Sequence, residues 1–305
     1  MTLNYKHSLV LVIVTQLLFS IPQPGYSQKY YEEIVVLDFF ESLYEYNFST
    51  SKTKLEQVIK KTKNQPEAYI SSANFYWWMM MTGNNNKENA PAFENANKEL
   101  ITKYKSNYPE ELSSDELFAV IHGYAYQTRF ALHKRRYLRG LSNLKRIMPY
   151  LEEVLENPLK NEKFSLLAGL YHYLAAVTIE EKPLLKPFFK KAPESNRKLG
   201  YQLLISASQS SHPLISNEAK YFLMKINLEI SKNYFEAIRW NRSLIEQFPD
   251  NILYRFHYLQ SLVLLNRATD AKDQFIIIRN LSENLPGLTK EQRSHFVDEA
   301  SRLLK

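Results

Sequence analysis

Cysteine is absent from this chain of 305 residues. That excludes disulfide staples, thiolate metal sites and cysteine nucleophiles, and with them a lipid anchor on a cysteine behind a leader. Glycine is scarce, with 7 in the whole chain, and the strict apolar–polar alternation of half-buried strands is missing. Motifs that carry chemistry are missing too. There is no Gly-rich phosphate loop, no Gly-x-Ser-x-Gly elbow, no Asp-rich calcium loop and no His-Glu-x-x-His pair. The adjacent acids Glu110-Glu111, Glu152-Glu153 and Glu180-Glu181 point to different sides of a helix and make poor acid–base partners. The chain therefore reads as non-enzymatic, without metal or cofactor, and a hydrolase hidden in the fold is the last alternative.

Long apolar runs are missing except at the start. Ser8–Ile21 carries no charge, follows Lys6, and ends at Pro22, Pro24 and Gly25. It is shorter than the roughly 20 residues that span a bilayer. Small residues at Gly25 and Ser27 suit a signal peptidase. Residues 1–27 are expected to be a signal peptide, leaving 28–305 exported to the periplasm or associated with the outer membrane. No later run is long enough to span a membrane, which leaves peripheral association open.

What the chain has is helix signal from end to end. Pro66 opens a helix where its missing N–H costs nothing, and Ser113-Ser114-Asp115-Glu116 offers capping hydroxyls and early acids. Helices are expected near 29–46, 52–63, 66–81, 89–106, 114–133, 136–156 and 162–179. Others are expected near 195–208, 215–231, 233–248, 251–265, 268–284 and 289–304. Residues 180–193 hold three prolines and read as a long loop with Leu184, Leu185, Phe188 and Phe189 tucked onto the helices.

The formal net charge is +7, with cations and acids interleaved. The densest cluster, His133-Lys134-Arg135-Arg136 followed by Arg139, reads first as a solvated turn near a helix C-terminus. Its second reading is a contact for phosphates or acidic lipid head groups. Nucleic acid is not an expected partner of an exported chain. Aromatics are abundant, with 21 Tyr, 17 Phe and 3 Trp. Phe75, Tyr76, Trp77, Trp78 and Met79 to Met81 cover nearly all sides of one helix. That suits an inner helix packed by several neighbours, with Trp77 or Trp78 edging into a groove.

Two C-terminal stretches lie in register at a period of about 34 residues. Ala237 and Ala271 share a repeat position, as do Leu228 and Leu262. With Tyr234, Ala237 and the closing Pro249, residues 218–251 resemble a tetratricopeptide repeat, departing from it at Lys225 and Asn241. Residues 252–285 keep Ala271 and Phe275 but have Glu283 where the proline would stand. Residues 289–304 resemble a capping helix. Upstream, Ala73–Trp78 behind Gln65-Pro66-Glu67-Ala68, Gly169–Tyr173 and Asn196–Gly200 follow in an order similar to a bacterial group of exported tetratricopeptide proteins. That group is more distantly similar to the inclusion-body-clearance family.

The resemblance implies an all-α right-handed superhelix of about 13 helices, one helical-repeat domain over 28–305, and no activity. In the clear repeats, the positions it assigns to a concave groove include Phe222, Ile226, Glu229, Phe256, His257 and Gln260, with Trp77 and Trp78 as candidates from the aromatic helix. The Lys, Arg and Asn clamp of chaperone-binding relatives is not there. A largely apolar groove either takes an apolar peptide or helix or is filled by the protein's own last helix. The expected function is a non-catalytic scaffold for a protein or peptide partner, and the alternative is a glycan-binding module.

Overall fold

Among the described residues, proline, asparagine and serine help punctuate thirteen α-helices. The computed structural model describes residues 24–83, 88–189 and 196–305. The helices are α1 (Pro24–Tyr44), α2 (Phe48–Thr62), α3 (Pro66–Met81), α4 (Asn89–Tyr104), α5 (Ser114–His133), α6 (Tyr137–Glu156) and α7 (Glu162–Glu181). After them come α8 (Arg197–Ala207), α9 (Pro213–Lys225), α10 (Tyr234–Gln247), α11 (Ile252–Leu264), α12 (Ala268–Asn284) and α13 (Lys290–Leu303). Among the described residues there is no strand. Residues 1–23, where most of the expected signal peptide falls, lie outside the described residues.

Side-chain caps start many of the helices. Ser113 and Glu116 form a capping box at α5, and Thr289 and Gln292 form one at α13. The side-chain oxygens of Asn161 and Asn251 accept from the N–H groups of Phe164 at 2.9 Å and Tyr254 at 3.2 Å. Four odd-to-even turns share one backbone solution. Tyr46, Arg135, Lys232 and Asn266 each adopt a left-handed conformation, with φ between 53° and 63°. In three of them the next N–H reaches five residues back, Asn47 to Ser42, Arg136 to Ala131 and Arg267 to Leu262, the Schellman closure. A recurring three-residue turn makes each of these four pairs an antiparallel hairpin.

Each helix packs on the next, and odd-numbered neighbours α1, α3, α5, α7 and α9 also pack on one another. Helices α1, α3, α5, α7 and α9 thus form a shared inner layer. Buried apolar side chains run as one connected cluster from Val35 to Ala300. Ala237 and Ala271 are both buried, as are Leu228 and Leu262. Between α7 and α8 the helices meet at two glycines. A Cβ on Gly200 would stand 2.5 Å from the Tyr173 nitrogen and 2.8 Å from the Gly169 carbonyl oxygen.

The chain also folds back on its beginning. Helix α1 packs against α9, and Asn251 donates to the Tyr44 carbonyl at 2.8 Å. Trp78 sits edge-on to both Tyr44 and Tyr254. Gln292 of α13 donates to the Thr82 hydroxyl. Helix α3 is therefore enclosed by elements from both ends of the sequence, which is why it is apolar all round.

Three local expectations need correction. The helix expected over 215–231 ends in a π-helical turn, Ile226–Ile230. There the Asn227 amide donates to the Leu223 carbonyl at 2.7 Å and to the Tyr201 hydroxyl at 2.9 Å, and the wider turn accommodates both bonds. The proline-rich segment contains a 3₁₀ helix, Pro183–Phe188, and Phe189 is buried. Leu184, expected to be tucked in, is 91% exposed on this 3₁₀ turn. Residues 190–193 of that segment lie outside the described residues.

Candidate functional site

The inner layer carries a buried polar network at the junction of α3, α5 and α9. Asn74 on α3 donates from Nδ2 to the Ile70 carbonyl at 2.9 Å and to His122 Nε2 at 3.1 Å. Its Oδ1 accepts from the Tyr126 hydroxyl at 2.5 Å. His122, Tyr126 and Arg129 come from α5 at helical spacing, so all three face one way. Tyr126 also lies 3.3 Å from Glu218 Oε1 on α9.

Arg129 completes the arrangement. Its Nη1 pairs with Glu218 Oε2 at 3.1 Å, with side chains 23% and 6% exposed respectively. Three rings hold its guanidinium, Trp77 at 4.8 Å, Phe222 at 5.0 Å and Tyr126 at 5.2 Å. Among the described residues its Nε and Nη2 have no hydrogen-bond partner. A cavity of about 40 Å³ opens over the pair, bounded by Ala125 of α5, Leu166 and Leu170 of α7, and Phe222 of α9. That volume accommodates a water molecule or one small chemical group.

Burial sets the electrostatics. Burial first, and the Arg129 charge second, lower the His122 pKa to about 3, so the ring is neutral near physiological pH. Its acceptor role toward Asn74 places the proton on Nδ1. Burial, then the Glu218 charge, pushes the Tyr126 hydroxyl well above its ordinary range. Burial, the largest single effect, opposes the Arg129 cation, but the Glu218 charge, Tyr126, Tyr221 and the Glu218 hydrogen bond together outweigh it, and the guanidinium stays charged. The site is thus a neutral ion pair with one donor edge free, set in apolar surroundings. It matches a group that both accepts and donates, as an amide does.

A second polar cluster lies alongside. The Tyr254 hydroxyl donates to Asn217 Oδ1 at 2.6 Å. His257 Nδ1 lies 2.7 Å from Gln260 Oε1, and its Nε2 is 3.5 Å from the Tyr221 hydroxyl. Burial lowers His257 to about 3. Among the described residues, no three His, Asp or Glu side chains are grouped so as to hold a metal ion.

No family model, curated protein or solved structure matches this chain.

The expected groove residues divide by depth. Trp77, Trp78, Ile226 and His257 are buried beneath the inner face. Trp77 still borders the site from below through its contact with Arg129. Phe222, Phe256 and Gln260 are half-buried, and Glu229 is exposed and paired with Lys225. The structure brings Phe222 to the Arg129 crevice, whereas Phe256 packs against Phe296 of α13 at 5.9 Å. Arg129, Glu218 and Asn74 carry the polar chemistry, and none stood out in the sequence. The one available signal was Arg129 itself, the single Lys, Arg, Asp or Glu between Leu117 and His133. Its partner, 89 residues away, leaves no local trace.

Proposed function

We propose that this chain is a non-catalytic, tetratricopeptide-like scaffold, wound as a right-handed α-α superhelix, that holds a protein or peptide partner on the α5/α7/α9 face. The observation that carries it is Arg129, fixed by Glu218 and three rings, with Nε and Nη2 uncommitted at the base of an apolar crevice. A peptide group over the crevice satisfies both partners, its carbonyl accepting from Arg129 and its N–H donating to Glu218. Leu170 and Phe222 supply the apolar walls for a neighbouring side chain. Sugar stacking is the weaker reading, since Trp77, Trp78 and Trp240 are all buried.

The leader-like residues 1–27 support export to the cell envelope. Mass spectrometry of the secreted chain tests this, with Gln28 expected as the first residue. The binding reading is tested by selecting peptides from a randomised display library on the purified chain, then measuring their affinity for an Arg129→Met/Glu218→Leu variant. Enriched peptides that bind the variant equally well place the binding elsewhere and sink the proposal.

A further inference from the structure

The tips of the hairpins form a second surface. Three-residue turns follow α5 and the π-helical end of α9, a proline-rich segment follows α7, and α5, α7 and α9 pack side by side. The topology therefore gathers the 134–136 and 231–233 turns and the 182–189 segment at one end of the array. Between Glu116 and Glu152 the sequence has no acid, and every residue from Leu132 to Arg139 is exposed. Helix α6 packs against the Pro183–Phe188 segment, so the two connections are neighbours.

Cations and bare apolar side chains alternate there. The three most exposed large apolar residues among those described are Leu184 at 91%, Leu138 at 84% and Phe235 at 74%. All three are at this end, beside Lys182 and Lys186, Arg136, and Lys232 respectively. Lys134, Arg135, Arg136, Lys182, Lys186 and Lys232 form no ion pair among the described residues. The neighbouring acids are largely taken: Glu94 by Arg139 at 3.4 Å and Glu236 by Arg239 at 2.7 Å, with Glu181 remaining. Arg135 and Lys232 also occupy left-handed turn positions, where glycine or asparagine is the cheaper choice.

We propose that this end docks on an anionic lipid bilayer, with cations on headgroup phosphates and Leu138, Leu184 and Phe235 in the acyl boundary. Charge complementarity and apolar side chains on separate turns fit a fluid surface that adapts to each tip. This surface is separate from the Arg129 crevice, so failure of one reading leaves the other standing.

The test is co-sedimentation of the full chain with phosphatidylcholine vesicles, with and without about one-third phosphatidylglycerol. Residues 1–27 are the same in every variant, so the readout is the difference between the two vesicles compared across variants. Wild-type protein is expected to prefer the anionic vesicles. Lys134→Glu/Arg135→Glu/Arg136→Glu is expected to weaken that binding roughly 100-fold, and Leu138→Ser/Leu184→Ser/Phe235→Ser roughly tenfold. All six sites are exposed, so both variants should keep wild-type helix content. Equal binding to both vesicles, or wild-type binding by the charge variant, overturns the proposal. So does full binding by the serine variant, which marks a purely electrostatic contact of the kind an acidic protein makes.

Discussion

Removing one member of the Arg129–Glu218 pair should cost far more than removing both. Arg129→Met strands a carboxylate whose side chain is only 6% exposed, while Glu218→Leu strands a guanidinium that keeps 23% exposure and three aromatic contacts. An uncompensated buried charge costs about 3–5 kcal/mol. Arg129→Met should therefore fall in that range, and Glu218→Leu nearer 2–3 kcal/mol because water reaches the guanidinium. The double variant replaces the pair with apolar groups of similar volume and should unfold within about 1 kcal/mol of wild type. The implied coupling is several kcal/mol, well beyond that of a surface pair. Urea unfolding followed by circular dichroism on all four proteins measures it. Two single costs below about 1 kcal/mol that simply add would refute the reasoning, because they mean water already screens the pair.

Other perturbations report on the scaffold. Gly200→Ala drives a methyl into backbone atoms of α7 at 2.5 and 2.8 Å, and the expected loss is about 3 kcal/mol or more, read as a lower unfolding midpoint. Asn251→Ala removes the α11 cap and the bond to the Tyr44 carbonyl. Its expected cost is about 2–4 kcal/mol, and a loss under about 1 kcal/mol would mean the end-to-end contact does not form in solution. His122 and His257 are both held near 3, below their ordinary 6.5. Their neutral folded state contributes stability that is full above pH 6.5 and is lost as pH falls toward 3, because the unfolded chain protonates first. By about pH 5 each should cost about 2 kcal/mol. A His122→Gln/His257→Gln variant should flatten that slope, and an unchanged slope would assign the effect to other groups.

The helix boundaries were legible because they rest on local chemistry. Pro66, Ser113, Asn161 and Thr289 act within one turn of themselves, and the expected starts at 66, 114, 162 and 268 match the observed elements. The Gly169 and Gly200 landmarks were also visible, although their meaning as an α7–α8 contact needed the packing. Long-range pairing was not legible. Nothing near Arg129 announces Glu218, and nothing near Asn251 announces Tyr44, since each bond depends on how the hairpins stack. For the same reason the repeat resemblance that marked Ile226 and His257 as groove positions, and the aromatic run that marked Trp77 and Trp78, could not tell floor from opening. Leu184 was misplaced because an apolar residue between prolines carries the same pattern whether it packs or projects.

The central claim is that the α5/α7/α9 crevice holds a peptide group against Arg129 and Glu218. Its most direct test is the affinity of a display-selected peptide for wild-type protein and for the stable Arg129→Met/Glu218→Leu variant. Loss of two charge-assisted hydrogen bonds predicts weakening by roughly 100-fold with unchanged fold stability. Equal affinity for the two proteins would contradict the claim.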